Sequence, residues 1–217
     1  MPHKVEIFYS FRSPYCYLLT DRLTSLARDF EVAAIIRPVY PIAIRDAEFF
    51  RRVDPLYRPY HLKDSARLAE FLNIPYRRPV PDPIVQDLAS GEIATEQPYI
   101  RHITRMAQAA ADIGAGVAYS AAVMALLWNG ATDNWHQGSH LADACGEAGL
   151  DFAALDRRAA REAAGLDAEI DGNQQAQRAA GHWGVPLMVF DGEPFYGQDR
   201  FDMLCWRLSR HGLSKSN

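Results

Sequence analysis

Cysteine is scarce in this chain. Three occur in 217 residues, Cys16, Cys145 and Cys205, an odd and widely scattered set. That excludes a disulfide framework and suits a reducing cytosol. Long apolar runs are missing too, since no stretch approaches the roughly 18 consecutive apolar residues of a membrane span. The amino-terminal MPHKVEIFYS enters a strand-like run at once, without a long apolar segment or a small-residue cleavage site. No secretory leader is expected, and a cytoplasmic location is. There is little excess charge: 23 Lys and Arg against 27 Asp and Glu leave −4 and a pI near 6.0. That gives no general attraction to nucleic acid or to an anionic membrane. The pairs Arg51-Arg52 and Arg77-Arg78 are short and read as solvated surface. The seven histidines show no paired Cys/His spacing, so no metal is expected. A Walker loop, a G-x-S-x-G elbow and a dinucleotide fingerprint are absent as well; G-A-G at 114–116 lies between helical segments and is a weak signal.

What is present is patterned. Val5 to Tyr9 reads as a strand. Ser13 followed by Pro14 is a helix start, a side-chain cap before a proline at the first helical position. From there Cys16, Leu19, Leu23, Leu26 and Phe30 form one apolar stripe on a helix ending near Asp29. Glu31 to Val39 reads as a second strand, so the amino-terminal order is β-α-β with a parallel pair. Near the other end, Leu187–Phe190 and Glu193–Tyr196 are short strands joined by the turn pair Asp191-Gly192. A closing helix follows Gly197, with Phe201, Leu204, Cys205 and Leu208 on one side. The two ends together read β-α-β and β-β-α, the order of an α/β thioredoxin-like fold. A large helical insertion splits it, with helices expected over 61–72, 97–112, 117–129, 136–148 and 151–164. The expected division is a thioredoxin-like domain from 1–40 plus 181–217 and an inserted helical domain from 41–180. A cleft between them is the default place for a ligand.

The stretch S-P-Y-C, Ser13 to Cys16, occupies the place where a redox relative would carry C-x-x-C. Ser13 can be a helix cap and nothing more. It can also donate a hydrogen bond to the sulfur of an external thiol, helped by the positive end of the helix dipole. Free thiols have a pKa of ~8.5, and a donor plus dipole worth ~2 kcal/mol lowers that by about 1.5 units. Cys16 falls on the apolar stripe, which points to a buried, inert thiol; a disulfide oxidoreductase using it is the competing reading. Pro186 begins a strand, where its missing N–H does little harm. In a thioredoxin-like arrangement it is cis, which turns the Val185 backbone toward an extended ligand. Asp199, beside Gln198, either caps the last helix or pairs with a ligand ammonium group. Phe11, Tyr40, Tyr57, Tyr60, Trp128 and Trp183 can line an apolar pocket, although most such residues belong to cores.

The segments FYSFRSPYCYL, YHLKDSARLAEFLNIP and GVPLMVFDGEPFYGQDRFDML resemble the 2-hydroxychromene-2-carboxylate isomerases. These are relatives of the kappa-class glutathione transferases within the wider DsbA-like group. The likeness covers the whole length in layout, while residues 80–180 match only in helical character. It implies a glutathione-dependent isomerase acting on an aromatic catabolic intermediate, with glutathione as cofactor. Ser13 would hold the glutathione sulfur, Val185 and Pro186 its cysteinyl backbone, and Gln198 and Asp199 its γ-glutamyl end. In such isomerases the thiolate adds to a conjugated system, a bond rotates, and the thiol leaves unchanged. The partner would be a small aromatic carboxylate, and a homodimer is expected by analogy. Phe11, Arg12, Tyr60 and Lys63 are the candidate substrate-pocket residues, with Arg37 a further cation. Three departures stand out. Cys16 replaces a frequent serine, Gln198 replaces serine or asparagine, and residues 41–60 lack the usual asparagine, leaving Asp54 as the nearest stand-in. A transferase that releases a conjugate and a non-catalytic binding module are the remaining readings.

Overall fold

The computed structural model describes residues 2–87 and 92–216. Its centre is a four-stranded sheet in the order β2-β1-β3-β4. β1 (His3–Tyr9) pairs in parallel with β2 (Val32–Pro38), placing Val5 opposite Ala34. On its other edge β1 pairs antiparallel with β3 (Leu187–Phe190), which in turn pairs antiparallel with β4 (Glu193–Tyr196). The two inner strands are buried on both faces, as strands covered on either side must be. Val5, Ile7 and Tyr9 enter the main core, whereas Phe8 joins Val39, Leu187 and Val189 on the opposite face.

The crossover between the parallel strands is α1 (Pro14–Asp29), capped by Ser13 and opened by Pro14, with Cys16, Leu19, Leu23 and Leu26 buried. Between β2 and β3 the chain forms eight helices among the described residues. They are α2 (Ile42–Arg45), α3 (Phe49–Arg52), α4 (Tyr57–Leu72), α5 (Pro98–Asp112), α6 (Gly116–Trp128), α7 (His140–Glu147), α8 (Phe152–Arg161) and α9 (Ala163–Ala179). A 3₁₀ turn (Gln198–Arg200) leads into α10 (Phe201–Arg210). This is a thioredoxin-like arrangement, a mixed sheet with flanking helices and a helical insertion.

The inserted helices share a core with the sheet. One hydrophobic cluster takes in Val5, Ile7, Leu18 and Leu23 together with Ile103, Met106, Tyr119 and Val123. Gly116 permits the close approach of α6 to β2, because a Cβ there would stand 3.0 Å from that of Ile36. The other face of the sheet is closed by α9, through Ala176 and Ala180.

The helix over 163–179 lies beyond the expected end at 164, and polar residues on its buried side hide it from a hydrophobic pattern. Asn173 donates to the Pro38 carbonyl (3.1 Å) and to Gln108 (2.8 Å), and buried Gln177 donates to the Gly184 carbonyl (2.7 Å). The stretch expected to be helical from 136 begins only at His140. Gly138 before it sits at φ 59°, in the left-handed region that ends a helix rather than starting one.

Candidate active site

The first turn of α1 separates two side chains of opposite fate. Ser13 holds extended backbone angles (φ −94°, ψ 115°), and its Oγ accepts from the Cys16 N–H at 3.3 Å. That contact uses only a lone pair, so the cap does not consume the hydroxyl proton. Ser13 lines a cavity with Ser10, Pro14 and Tyr15, and the Ser10 Oγ is buried there without a hydrogen-bond partner. Cys16 is fully buried. Burial pushes its thiol up to about 12, outweighing the hydrogen bonds of the Ser10 backbone and the Ser13 side chain. The hydroxyl is available and the thiol is not.

The loop before β3 faces this turn. Its Val185-Pro186 bond is cis, and the Pro186 carbonyl accepts from Gly197 N–H at 2.9 Å. Two further contacts fix the loop: Gly184 N–H donates to His182 Nδ1 at 2.9 Å, and the Gly184 carbonyl accepts from Gln177. The Val185 N–H and C=O have no partner among the described residues. They are free to pair with an extended ligand.

From Val185 a trough runs past Tyr196, Gly197, Gln198 and Asp199, with Tyr60, Asp64, Arg67 and Phe71 of α4 on its far side. Asp199 is exposed and pairs with Arg200 at 3.1 Å. Gln198 is buried, and its carbonyl accepts from Arg22. That side chain is therefore partly committed, the consequence of a longer residue where a short one is usual. Gly197 is required by φ 99° and by its neighbour, since an added Cβ would lie 2.5 Å from Asp199 Oδ1.

The cavity itself, of about 170 Å3, is similar in size to one that holds a benzene ring, about 150 Å3. Tyr57, Tyr76, Trp128 and Trp183 form apolar walls, and Arg12, Arg45, Arg58, Arg78 and His61 carry its polar groups. Arg12 grips Asp82 with two bonds of 2.9 and 3.1 Å, and Arg78 reaches the same carboxylate at 3.0 Å. Burial alone would raise Asp82, but Arg12, the Ile84 amide and Arg78 hold it below the usual carboxylate value. Arg45 donates only to neutral oxygens, Gln177 Oε1 at 3.1 Å and the Trp183 carbonyl at 3.2 Å. Burial, and then the nearby Arg178, lower its pKa to about 10, so it stays charged at neutral pH. His61 packs against the rings of Tyr15 and Tyr57, at 4.9 and 5.7 Å between centroids. Burial first, then Arg78 and Arg12, lower its pKa and favour the neutral imidazole.

Four of the residues expected from sequence at the substrate pocket sit elsewhere or act differently. Phe11 is fully buried against Tyr9 and Tyr119, each 5.7 Å away, and its carbonyl accepts from Trp128 Nε1; it is core. Lys63 is exposed on α4 and lines neither depression. Tyr60 borders the trough, not the cavity. Arg12 lines the cavity, but its charge is answered by Asp82. Arg37 is engaged by Glu6 and Asn173 on β2. Asp54 caps the Leu56 N–H (2.8 Å) and lines neither depression, so it does not replace the missing asparagine. Arg45, Arg58 and His61 escape the sequence reading, and Arg78 lies at the cavity against Asp82 rather than on a solvated surface, because short helices and a proline-rich loop bring these residues together without any shared spacing. His136 and His140 stand four apart, yet among the described residues no three His, Cys, Asp or Glu side chains gather to hold a metal. Among those residues, too, no helix is long and apolar enough to cross a membrane.

Residues 4–209 match the model of the DSBA-like thioredoxin domain, and the chain belongs to that family. In structure it is similar to a 2-hydroxychromene-2-carboxylate isomerase, with a TM-score of 0.71 at 20% identity over 95% of each chain. It is also similar to a probable DsbA oxidoreductase from Streptomyces coelicolor (TM-score 0.64, 18% identity, 96% of this chain and 89% of that one). A third likeness is to the cytosolic disulfide reductase DsbM from Pseudomonas aeruginosa, solved with GSH (TM-score 0.59, 15% identity, 95% and 99% covered). At these identities the likeness establishes the fold. No curated protein matches the sequence significantly.

Proposed function

We propose that this chain is a glutathione-dependent isomerase of the 2-hydroxychromene-2-carboxylate type, acting on a small aromatic carboxylate. The observation that carries the reading is the pairing at the start of α1: a serine hydroxyl at the cavity, and the chain's own nearby thiol sealed in the core. Several features of the chain fit the tripeptide. The Ser10 hydroxyl is orphaned at the cavity, the Val185 backbone is unpaired, and the trough at Gln198 and Asp199 continues from it.

When bound, glutathione supplies the thiolate that this protein lacks, a nucleophile able to add to a conjugated system and leave again. Ser13 would donate a hydrogen bond to that sulfur, and the amino terminus of α1 would add its dipole. Val185 pairs with the ligand backbone, while Asp199 exchanges Arg200 for the ligand's ammonium group. Tyr57, Tyr76, Trp128 and Trp183 orient the ring and keep water out. The DsbM likeness supports the cofactor, because that relative was solved with GSH. A thiol–disulfide oxidoreductase using Cys16 is disfavoured, since a buried thiol raised to about 12 is neither accessible nor ionised.

The test is turnover of a 2-hydroxychromene-2-carboxylate with and without reduced glutathione, read by product mass. An isomer of unchanged mass, formed only with glutathione, is the expected result. A conjugate would assign the chain to the transferases, and turnover independent of glutathione would refute the cofactor.

A further inference from the structure

Acidic residues are missing from the cavity walls. Among the described residues the cavity is lined by four arginines and a histidine, and by no Asp or Glu. The chain as a whole carries −4, so this positive enclave does not follow from composition. Asp82, set behind the wall, answers Arg12 and Arg78. Arg45 and Arg58 form no ion pair among the described residues.

Arg58 is exposed, and water can satisfy it. Arg45 is in a different position. Its Nε is buried with no partner, while Nη1 and Nη2 each donate to one neutral oxygen. A guanidinium carries five N–H donors, so more than half of this one's capacity is unused. A half-buried cation without an ion pair is stabilised by a ligand that supplies the negative charge. The two bonds it does make tie it to Gln177 of α9 and to the Trp183 carbonyl, and so hold the group in place beside an aromatic ring. Trp183, Phe49 and Tyr57 continue as a chain of rings, with centroids 5.1 and 6.1 Å apart.

We propose that Arg45 is the carboxylate anchor of the substrate subsite, holding an aromatic acid whose ring lies against Trp183 and Tyr57. The inference rests on the reading that this cavity, rather than the trough, receives the substrate. Carboxylate could arrive from two sources, the aromatic acid or glutathione itself. Arg45 lines this cavity and also a separate depression that holds Asp167 and Asp171, but not the trough lined by Gln198 and Asp199, so the aromatic acid is favoured over glutathione.

Two probes of one skeleton separate charge from shape: cinnamate and cinnamyl alcohol. Their binding to the full chain, in the absence of glutathione, is followed by tryptophan fluorescence and calorimetry. Wild type should bind cinnamate about tenfold or more tightly than the alcohol, as expected of a charge-assisted pair. Arg45→Gln should abolish that preference and leave glutathione affinity unchanged, while Arg45→Lys retains part of it. Melting curves identify any unfolded variant; should Arg45→Gln not fold, a reduced preference in Arg45→Lys carries the test, and an undiminished one overturns the proposal. Equal cinnamate affinity in wild type and a folded Arg45→Gln would overturn the proposal. So would a wild type without preference for the acid, or a variant that loses glutathione and keeps cinnamate. Failure to bind glutathione would refute the isomerase reading and leave the cinnamate result standing, so the two failures are distinguishable.

Discussion

The cavity and the trough meet at Tyr15, Val185 and Tyr196, yet they are built for different chemistry. The cavity is aromatic and positive, with no acid on its walls. The trough carries both signs, Asp64 and Asp199 against Arg67, together with free backbone groups beside it. A flat ring with one negative charge fits the first, and a zwitterionic peptide fits the second. Ser13 stands at the cavity end of α1, near the junction. Under the proposed function, the difference would divide the reaction between a borrowed reagent and its target, each with its own polarity.

The largest expected effect is at that junction. Ser13→Ala should lower turnover by about 100-fold or more if its donor acts as charge develops on sulfur. Its cap is a separate matter, worth about 1 kcal/mol in the alanine variant and only a few tenths in Ser13→Gly. Steady-state rates and denaturant melts on both variants separate the roles: equal loss of turnover with unequal loss of stability is expected. Turnover that instead followed stability would reduce Ser13 to a cap.

The trough is tested next. Asp199→Ala should weaken glutathione binding by about fivefold, the scale of an exposed charge pair, and leave cinnamate binding alone. Calorimetry with each ligand reads both. Loss of cinnamate in this variant would mean that the two depressions act as one site.

How much of this was legible in the sequence depends on the kind of signal. The sheet order, α1 and the α10 helix came from short apolar runs and caps, which are local. Ser13, Val185, Gln198 and Asp199 came from motif positions and line the cavity or the trough that joins it, whereas Pro186 is buried and lines neither. The cavity's own residues were not legible. Phe11 looked like a pocket aromatic but points into the core, because alternation along the chain leaving β1 does not say which side is solvent. Arg45, Arg58, Arg78 and His61 converge only after α2, α4 and the loop before 82 have packed. The helix α9 escaped notice because its buried side carries only Leu166 and Ile170 beside the amides Asn173 and Gln177, which no hydrophobic count detects.

A smaller effect concerns acid. His61, His102 and His182 all have pKa values lowered from 6.5, each with burial as the first cause. As pH falls through 6.5 the unfolded chain takes up these protons before the folded chain does, so stability should drop. Urea midpoints at successive pH values between 7 and 5 check this, and His61→Phe should flatten part of the slope. A midpoint that rose on acidification would contradict the assignment. The smallest effect is at Cys16. In the native protein an alkylating probe should label half-buried Cys205 first and Cys16 not at all. Rapid native labelling of Cys16 would restore the oxidoreductase reading.

The most direct test of the borrowed thiol is the pKa of bound glutathione, followed by ultraviolet thiolate absorbance on wild type and Ser13→Ala. A value about 1.5 units below the ~8.5 of a free thiol, reverting toward it in the variant, is the predicted result. An unshifted thiol in wild type, or a shift that survives loss of the hydroxyl, would contradict the account.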